Sequence, residues 1–192
     1  MHLWDFALTV YQSDEVKQHC LILQDSYGVD VCLLLGIWWL SNGGFSLSQA
    51  ECDNLVDSLD DSLQSKTKAI RALRRRVKRV NIDLDLAETT QQLKCCQSRK
   101  ELGGEWYRAI LDLELASERI ALSRIEQFAA ERWGLKWSAT MASYAHTAPN
   151  VGRLQEHLSH YLQGKQVPQR DIDAVSQCLL EFSDTRFANP NI

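Results

Sequence analysis

Eight of the chain's twenty-one basic residues fall within the stretch from Lys66 to Arg79. A run of this density can bind the phosphates of nucleic acid, with an affinity that falls as the salt concentration rises. It can equally bind an acidic protein or solvate the outer face of an amphipathic helix. Because no aromatic residue interrupts the run, stacking on single-stranded bases is not indicated. The candidate partner- or anion-binding residues are Lys66, Lys68, Arg71, Arg74, Arg75, Arg76, Lys78 and Arg79.

A second candidate site is a polar turn that precedes a strongly apolar segment. Carboxylates held beside apolar side chains have raised pKa values, which suit a general acid or a small-ligand site. The simpler interpretation is structural, since an aspartate at a helix start accepts hydrogen bonds from backbone amides. Adjacent tryptophans lie about 100° apart on a helix, so one of the pair should face a groove or a partner. The possible pocket consists of Trp4, Asp5, Gln24, Asp25, Asp30, Trp38 and Trp39.

Patterns typical of metal sites and covalent catalysis are weak or missing. The six cysteines include no CxxC pair and no Cys/His spacing of the kind that binds zinc. His157 and His160 are three residues apart, but the sequence defines no third ligand for them. It also contains no nucleophile elbow and no phosphate-binding glycine loop in a strand–helix context. The sequence therefore predicts no catalytic residue, metal or cofactor, and it favours a non-enzymatic protein.

The elements that carry these residues are predicted to be helices packed around one short apolar segment. The apolar run from Val31 to Leu40 is about half of the ~20 residues that a membrane-spanning helix needs. Asp30 precedes it as a helix cap, and Asn42-Gly43-Gly44 follows it as a break. A strand is the competing assignment, because valine, isoleucine and tryptophan favour strands. The turn residues on both sides favour a central helix over about 30–41.

Amphipathic helices, each with one apolar stripe, are predicted to surround this central helix. The first two cover about 3–11 and 14–27, and Gly28 is placed to form a left-handed C-terminal cap. After a capping box at Ser48, residues 48–80 keep one helical phase, as one long helix or as two nearly collinear helices broken near 62–65. Next come a polar helix over 86–102, which starts at a second capping box, and a break at Gly103-Gly104. They are followed by a long helix over 105–133, a short helix within 135–148, and two helices after Pro149 and Pro168. The fold class is therefore an all-α bundle of six to eight helices.

The composition is that of an ordinary globular protein. The chain has 192 residues, is 45% hydrophobic and 24% charged, and carries a formal net charge of -4. We expect one helical domain over residues 1–182 and a flexible tail over 183–192. The N-terminus lacks a signal-peptide pattern, and the scattered cysteines are typical of reduced thiols, so a cytoplasmic location is predicted.

Four segments resemble one bacterial family. They are LWDFAL at 3–8 with Tyr11, then LQD at 23–25 with Gly28, Asp30-Val31 and LLL at 33–35, then RALRR at 71–75, and LELA at 113–116 with ERI at 118–120. Together they are similar to the proteins catalogued as domain of unknown function 2390, over residues 3 to about 130. The resemblance implies a small soluble helical protein with no assigned activity, and it supplies no catalytic residue. Residues from about 135 to 182 would then form a C-terminal extension.

These observations lead to three functional hypotheses. The leading one is a cytoplasmic protein–protein interaction or adaptor module that binds another protein or a second copy of itself. It would use the basic run and an aromatic-lined surface around the first three helices. The alternative is a nucleic-acid or ribonucleoprotein-associated protein that binds through residues 66–79. The second alternative is a small-ligand binder or an enzyme with a polar pocket near the turn at 24–30.

Overall fold

The computed structural model describes residues 1–59, 61–88, 96–134 and 151–187. Within these ranges all regular secondary structure is helical, which confirms the all-α prediction. The helices are α1 Leu3–Val10, α2 Asp14–Tyr27, α3 Val31–Asn42, α4 Gln49–Ser58, α5 Asp61–Glu88, α6 Cys96–Trp133, α7 Val151–Gln163 and α8 Gln169–Phe187.

Helix α3 is the centre of the fold. All twelve of its residues are buried, and α1, α2, α4 and α7 pack against it. Its start is fixed by Asp30, whose carboxylate accepts hydrogen bonds from the amides of Cys32 and Leu33. A helix that is apolar on every side needs neighbours on every side. The predicted central helix is thus confirmed, with bounds of Val31–Asn42.

The local signals at helix ends act as the sequence predicts. Gly28 has a φ of 65° and closes α2, with its amide donating to the carbonyl of Gln24. This left-handed conformation is costly for any residue with a Cβ, which is why glycine stands here. Ser48 and Glu51 form a reciprocal capping box at the start of α4.

Residues 48–80 belong to two helices, α4 and α5, although their apolar side chains keep one helical phase. Helix α4 ends at Ser58, and Leu59 has extended backbone angles of φ -85° and ψ 95°. The break therefore lies before the predicted position at 62–65. Helix α5 does not end near residue 80, where the predicted helical phase stops, since it continues to Glu88. Asp85 and Glu88 lie within it, so the second capping box predicted there was wrong.

The predicted break at Gly103-Gly104 was also wrong, because α6 runs through both glycines from Cys96 to Trp133. Two glycines cost about 2 kcal/mol of helix propensity relative to alanine, which the strongly patterned remainder of a long helix can offset. The predicted end was right, since Gly134 follows Trp133 with a φ of 57°. The polar helix predicted over 86–102 is divided between the end of α5 and the start of α6, and residues 89–95 lie outside the described ranges.

The two C-terminal helices are present, and the second is longer than predicted. Helix α8 continues past Phe182 to Phe187. Ser183 is buried, and its hydroxyl accepts a hydrogen bond of 3.1 Å from the indole nitrogen of Trp38. This contact makes the first part of the predicted flexible tail a packed helix. Residues 188–192, like the short helix predicted within 135–148, lie outside the described ranges.

The chain divides into two compact units. The first comprises Met1–Leu59 and Leu122–Ile192, and the second comprises Asp60–Ala121. The single domain over 1–182 and its C-terminal extension remain predictions. Among the described residues, no helix has both the length and the apolar character that crossing a bilayer requires.

Candidate partner-binding surface

The second unit contains an antiparallel pair formed by α5 and the first part of α6. Near the start of the contact, the hydroxyls of Thr67 and Ser117 are hydrogen-bonded. Further along α5, Arg74 bonds to Glu114, which precedes Ser117 in α6. Because the α6 partners move backwards as the chain advances along α5, the two helices run in opposite directions.

A buried ion-pair cluster holds this pair together. The Glu114 side chain is only 6% exposed, and its carboxylate lies 3.3 Å from Nε of Arg71 and 2.5 Å from Nε of Arg74. A second carboxylate, from Glu118, lies 2.7 Å from Nη2 of Arg71. Charges with so little water around them need partners, because an unpaired buried charge is strongly destabilising. Two of the eight predicted binding residues therefore have a structural role.

The other six basic residues of the run reach solvent. All of them are exposed on α5, whereas Arg71 is buried and Arg74 is half-buried. The structure thus separates the predicted binding residues into a structural pair and an exposed basic group. That group consists of Lys66, Lys68, Arg75, Arg76, Lys78 and Arg79.

Exposed apolar side chains recur along α6 at intervals of seven residues. Trp106, Leu113 and Ile120 are 61%, 55% and 51% exposed. Ala109 and Ala116, three residues after the first two, are exposed as well. Positions seven apart lie on one side of a helix, and alternate spacings of three and four make the seam along which helices pack. This seam has no packing partner among the described residues.

Leu73 extends the seam onto α5, where it is 49% exposed. On α5 it is turned by about 100–160° from Thr67, Arg71 and Arg74, which contact α6. Leu113 is turned in the same sense, by about 40–100°, from Ser117 and Glu114 on α6. Because the two helices are antiparallel, both residues lie towards the same side of the pair. We call the resulting surface the apolar face; it consists of Leu73, Trp106, Leu113 and Ile120.

At the second predicted site, near the polar turn, the two adjacent tryptophans do not line a pocket. Trp38 and Trp39 are both 0% exposed, so the prediction that one of them faces a groove or a partner was wrong. The Trp38 ring packs edge-on against Phe6 and Phe182, and the Trp39 indole donates to the carbonyl of Met1. Helices on every side of α3 leave no outward-facing position for either ring.

The polar residues of that site are spread over different environments. Asp30 is occupied as the cap of α3, and its amide donates a 2.9 Å hydrogen bond to the Tyr161 hydroxyl. Asp5 and Asp25 are exposed, while Gln24 and Trp4 are half-buried. The capping interpretation of Asp30 is confirmed by these contacts, and the other four residues line neither of the two clefts described below.

Sequence reasoning missed the buried histidine that fixes the loop after α3. Nε2 of His157 accepts a 2.9 Å hydrogen bond from the Leu47 amide, and Nδ1 lies 2.7 Å from the Ser41 hydroxyl. Because a backbone amide can only donate, the neutral imidazole carries its proton on Nδ1. Burial lowers the pKa of His157 to about 4. The only available signal was the apolar stripe of α7, which the histidine shares with Leu154, Leu158 and Tyr161.

Described residues of the first unit line two clefts. One, of about 410 Å³, runs beside α4 and the end of α7 and contains Asp53, Asp57, His160 and Lys165. Its acids and bases oppose each other, so its charge selects no particular ligand class. The other, of about 710 Å³, is shallow and is bordered by an ion pair between Glu51 and Arg132. Neither cleft includes a residue of the two predicted sites.

Comparison with known proteins identifies a family without a described activity. The sequence model of a family described as "Protein of unknown function (DUF2390)" matches residues 2–125. This range covers α1 to α5 and most of α6. No curated protein and no solved structure matches the chain. The family match confirms the resemblance found in the sequence and leaves the function to be argued from the surface.

Proposed function

The chain belongs to the DUF2390 family, and we propose that it is a protein-binding module that receives an amphipathic helix of a partner protein on its apolar face. The observation that carries the proposal is the seam at Trp106, Leu113 and Ile120, each more than half exposed. Exposed apolar positions that recur at coiled-coil spacing are expensive to leave in water and are typical of helix-binding surfaces. Tryptophan is also among the residues that contribute most to binding energy at interfaces.

The charge beside the seam supports an acidic partner helix. On α5, Lys66 lies seven residues before Leu73 and Arg76 three residues after it, so both share its side of the helix. No acidic residue occurs between Asp61 and Asp83. The partner helix would therefore present leucine-type side chains to the apolar face and carboxylates to the α5 edge.

The proposed binding surface differs from the one predicted around the first three helices. The aromatic residues expected to line it, Trp38 and Trp39, are in the core. The exposed aromatic residue is Trp106, in the second unit. The basic run is retained in the proposal because six of its members are exposed beside or behind the apolar face. A reducing compartment such as the bacterial cytoplasm suits the buried free cysteines of the described part of the chain, which are Cys20, Cys32, Cys52 and Cys178.

Synthetic amphipathic helices with leucine at the heptad core positions provide a defined probe. One peptide carries glutamate at the flanking positions and its twin carries lysine. Fluorescence anisotropy should show tighter binding of the glutamate peptide. The double variant Leu113→Ser/Ile120→Ser should weaken that binding by roughly tenfold or more, because two anchoring side chains are lost.

Leu115→Ser is the matched control for this experiment. Leu115 is 42% exposed on the same helix, but it lies two residues from Leu113 and so faces away from the seam. Equal affinity for the two peptides, or equal loss of binding in the control, would contradict the proposal. A second copy is the rival occupant, since α6 also carries exposed Glu105 and Asp112 that could meet the basic edge. Sedimentation can detect such self-association. If the unaltered protein self-associates and the double variant does not, the proposal of a different partner protein is wrong.

Nucleic-acid binding is the second candidate function, supported by the six exposed cations on α5. Its test must spare Arg71 and Arg74, because their ion pairs with Glu114 maintain the second unit. The triple variant Arg76→Glu/Lys78→Glu/Arg79→Glu should then abolish retention of RNA on a filter. Retention should also fall steeply with salt. Absence of retention by the unaltered protein at low salt removes this candidate.

A further inference from the structure

Three potential metal ligands converge on the first unit where α2 packs against α8. They are a carboxylate oxygen of Glu15, an imidazole nitrogen of His19 and the thiol sulfur of Cys178, and all three atoms lie within 4.8 Å of one another. Glu15 and His19 are four residues apart on α2, so they lie one above the other on the same side of the helix. Sequence spacing does not indicate this cluster, because Cys178 comes from a distant helix.

We propose that Glu15, His19 and Cys178 form a site for one divalent transition metal ion of the zinc class, with a fourth position left open to water. A carboxylate, an imidazole and a thiolate are all established zinc ligands. Three protein ligands with an open position distinguish a reactive or exchangeable site from a closed structural one. The sulfur and nitrogen donors select zinc, cobalt, nickel or copper over magnesium or calcium, which prefer oxygen.

The geometry needs only a small adjustment to hold such an ion. Bonds of about 2.0–2.3 Å in a tetrahedral arrangement place the donor atoms roughly 3.3–3.7 Å apart. The ligands would therefore close by about an ångström from their limit of 4.8 Å. Glu15 is exposed and His19 is half-buried, so both side chains have room to move onto a sulfur that stays fixed in the core.

The field around the thiol favours a cation. The negative charges of Glu15 and Glu181 act on the Cys178 sulfur. Two carboxylates beside a thiol attract a dication, and coordination of the sulfur releases the thiol proton to water.

A second thiol lies behind the site. Cys20 is 0% exposed, and its thiol lies close enough to Cys178 to interact with it electrostatically. It follows His19 in the sequence but points into the core, and its sulfur is outside the converging set. The site thus has one thiolate ligand, which separates it from two-thiolate structural zinc sites.

Cobalt(II) titration of the reduced, metal-free full-length protein tests the proposal. We expect one cobalt ion per chain, with a thiolate-to-cobalt charge-transfer absorption that disappears when zinc is added. Cys178→Ala should abolish this absorption. Glu15→Gln and His19→Gln should each weaken zinc binding at least tenfold, measured by competition with a chelating dye.

Control variants separate this site from unspecific thiol binding. Cys52→Ala and His160→Gln, which alter a buried thiol and a histidine elsewhere in the first unit, should leave the cobalt spectrum unchanged. Because Glu15 is exposed, Glu15→Gln remains informative if Cys178→Ala fails to fold. The proposal is overturned if the unaltered protein gives no charge-transfer absorption, or if that absorption persists in Cys178→Ala. Zinc affinity unaffected by Glu15→Gln would overturn the assigned ligand set.

Discussion

His157 shows how one buried side chain can order a loop. Its ring accepts from the Leu47 amide and donates to the Ser41 hydroxyl, which in turn donates to the carbonyl of Ile37. The chain of hydrogen bonds joins α7 to the end of α3 and to the loop that precedes α4. Protonation of Nε2 would replace the acceptor with a donor and break the bond to Leu47. Burial and this bond both favour the neutral ring.

This arrangement predicts a loss of stability in mildly acidic solution. The pKa of His157 falls from 6.5 to about 4 on folding. Above pH 6.5 neither state is protonated and the stabilisation is complete. Between pH 6.5 and 4 only the unfolded state gains a proton, so the free energy of unfolding falls by up to ~1.4 kcal/mol per pH unit, and the decline ends below the folded pKa.

Urea unfolding measured from pH 7.5 to 4.5 checks this prediction. His157→Gln, which cannot titrate, should be less stable than the unaltered protein at pH 7.5 and should show a flatter dependence on pH. The exposed His2 provides the control, and His2→Gln should retain the unaltered slope. A slope that survives in His157→Gln would contradict the assignment.

Asp30 supports a second prediction at this scale. Its carboxylate accepts hydrogen bonds of 2.8 Å and 3.3 Å from the first turn of α3. Asp30→Ala should lower the free energy of unfolding by about 1 kcal/mol, the usual value of a lost cap. Asp5→Asn, at an exposed position, should cost only a few tenths of that amount. Equal losses in thermal denaturation would show that the cap is not the cause.

Residues with local partners were predictable, and residues with distant partners were not. Asp30, Gly28 and Ser48 act on amides or carbonyls within a few positions, so sequence spacing alone indicates their roles. The environments of Trp38 and His157 depend on helices far away in the chain. A helical wheel places two adjacent tryptophans on different sides but cannot reveal that both sides are covered.

At the scale of elements, α3 and α6 approach closely at Gly36. A Cβ added to this glycine would lie 2.8 Å from Cγ2 of Ile125 and 3.0 Å from its Cδ1. Ile125 is fully buried, and its β-branched side chain has few alternative rotamers. The absence of a side chain at Gly36 therefore permits the contact between the two helices within the first unit.

Gly36→Ala should consequently destabilise the protein although alanine favours helices. Overpacking costs typically 1–3 kcal/mol, against a helix-propensity gain of up to about 1 kcal/mol. We expect a net loss of about 1 kcal/mol in urea unfolding. Combining it with Ile125→Ala should give a loss smaller than the sum of the two single losses, since the clash is removed. Strict additivity, or stabilisation by Gly36→Ala, would contradict the close approach.

Element boundaries were predictable where a residue dictates a backbone conformation. Gly28 and Gly134 have positive φ angles, and both end helices as predicted. Gly103 and Gly104 lie within α6, where glycine raises the cost of a helix without forbidding it. The break at Leu59 was misplaced because its apolar side chain continues the helical phase while its backbone leaves it.

For the whole molecule, the sequence predicts the helical class and the central helix but not the way the surfaces are assembled. In the sequence, the seam at Trp106, Leu113 and Ile120 cannot be distinguished from an apolar stripe that packs in the core. Periodicity identifies the apolar face of a helix, but it does not show which helix faces pack together. The proposed ligands Glu15, His19 and Cys178 come together only when α2 packs on α8. The ion pairs between Arg71 or Arg74 and Glu114 likewise depend on the folding of the second unit.

The last prediction concerns the stability of that second unit. Glu114 is the shared partner of Arg71 and Arg74, and its carboxylate is nearly inaccessible to water. Glu114→Gln would remove the negative charge that both guanidinium groups share, although Glu118 would still pair with Arg71. Breaking a buried ion pair from one side costs about 3 kcal/mol or more. We therefore expect the α5–α6 pair to open more often.

Native-state hydrogen exchange can localise this effect. In Glu114→Gln the amides of residues 66–79 and 105–121 should exchange faster, because the lost ion pairs join these two segments. Amides of α3, in the first unit, should keep their protection at short exchange times. Glu105→Gln, which removes an exposed charge from the same helix, should change neither segment. An equal increase in the exchange rates of α3 amides would show that Glu114 stabilises the whole molecule. The ion-pair cluster would then not be a local support of the surface proposed for partner binding.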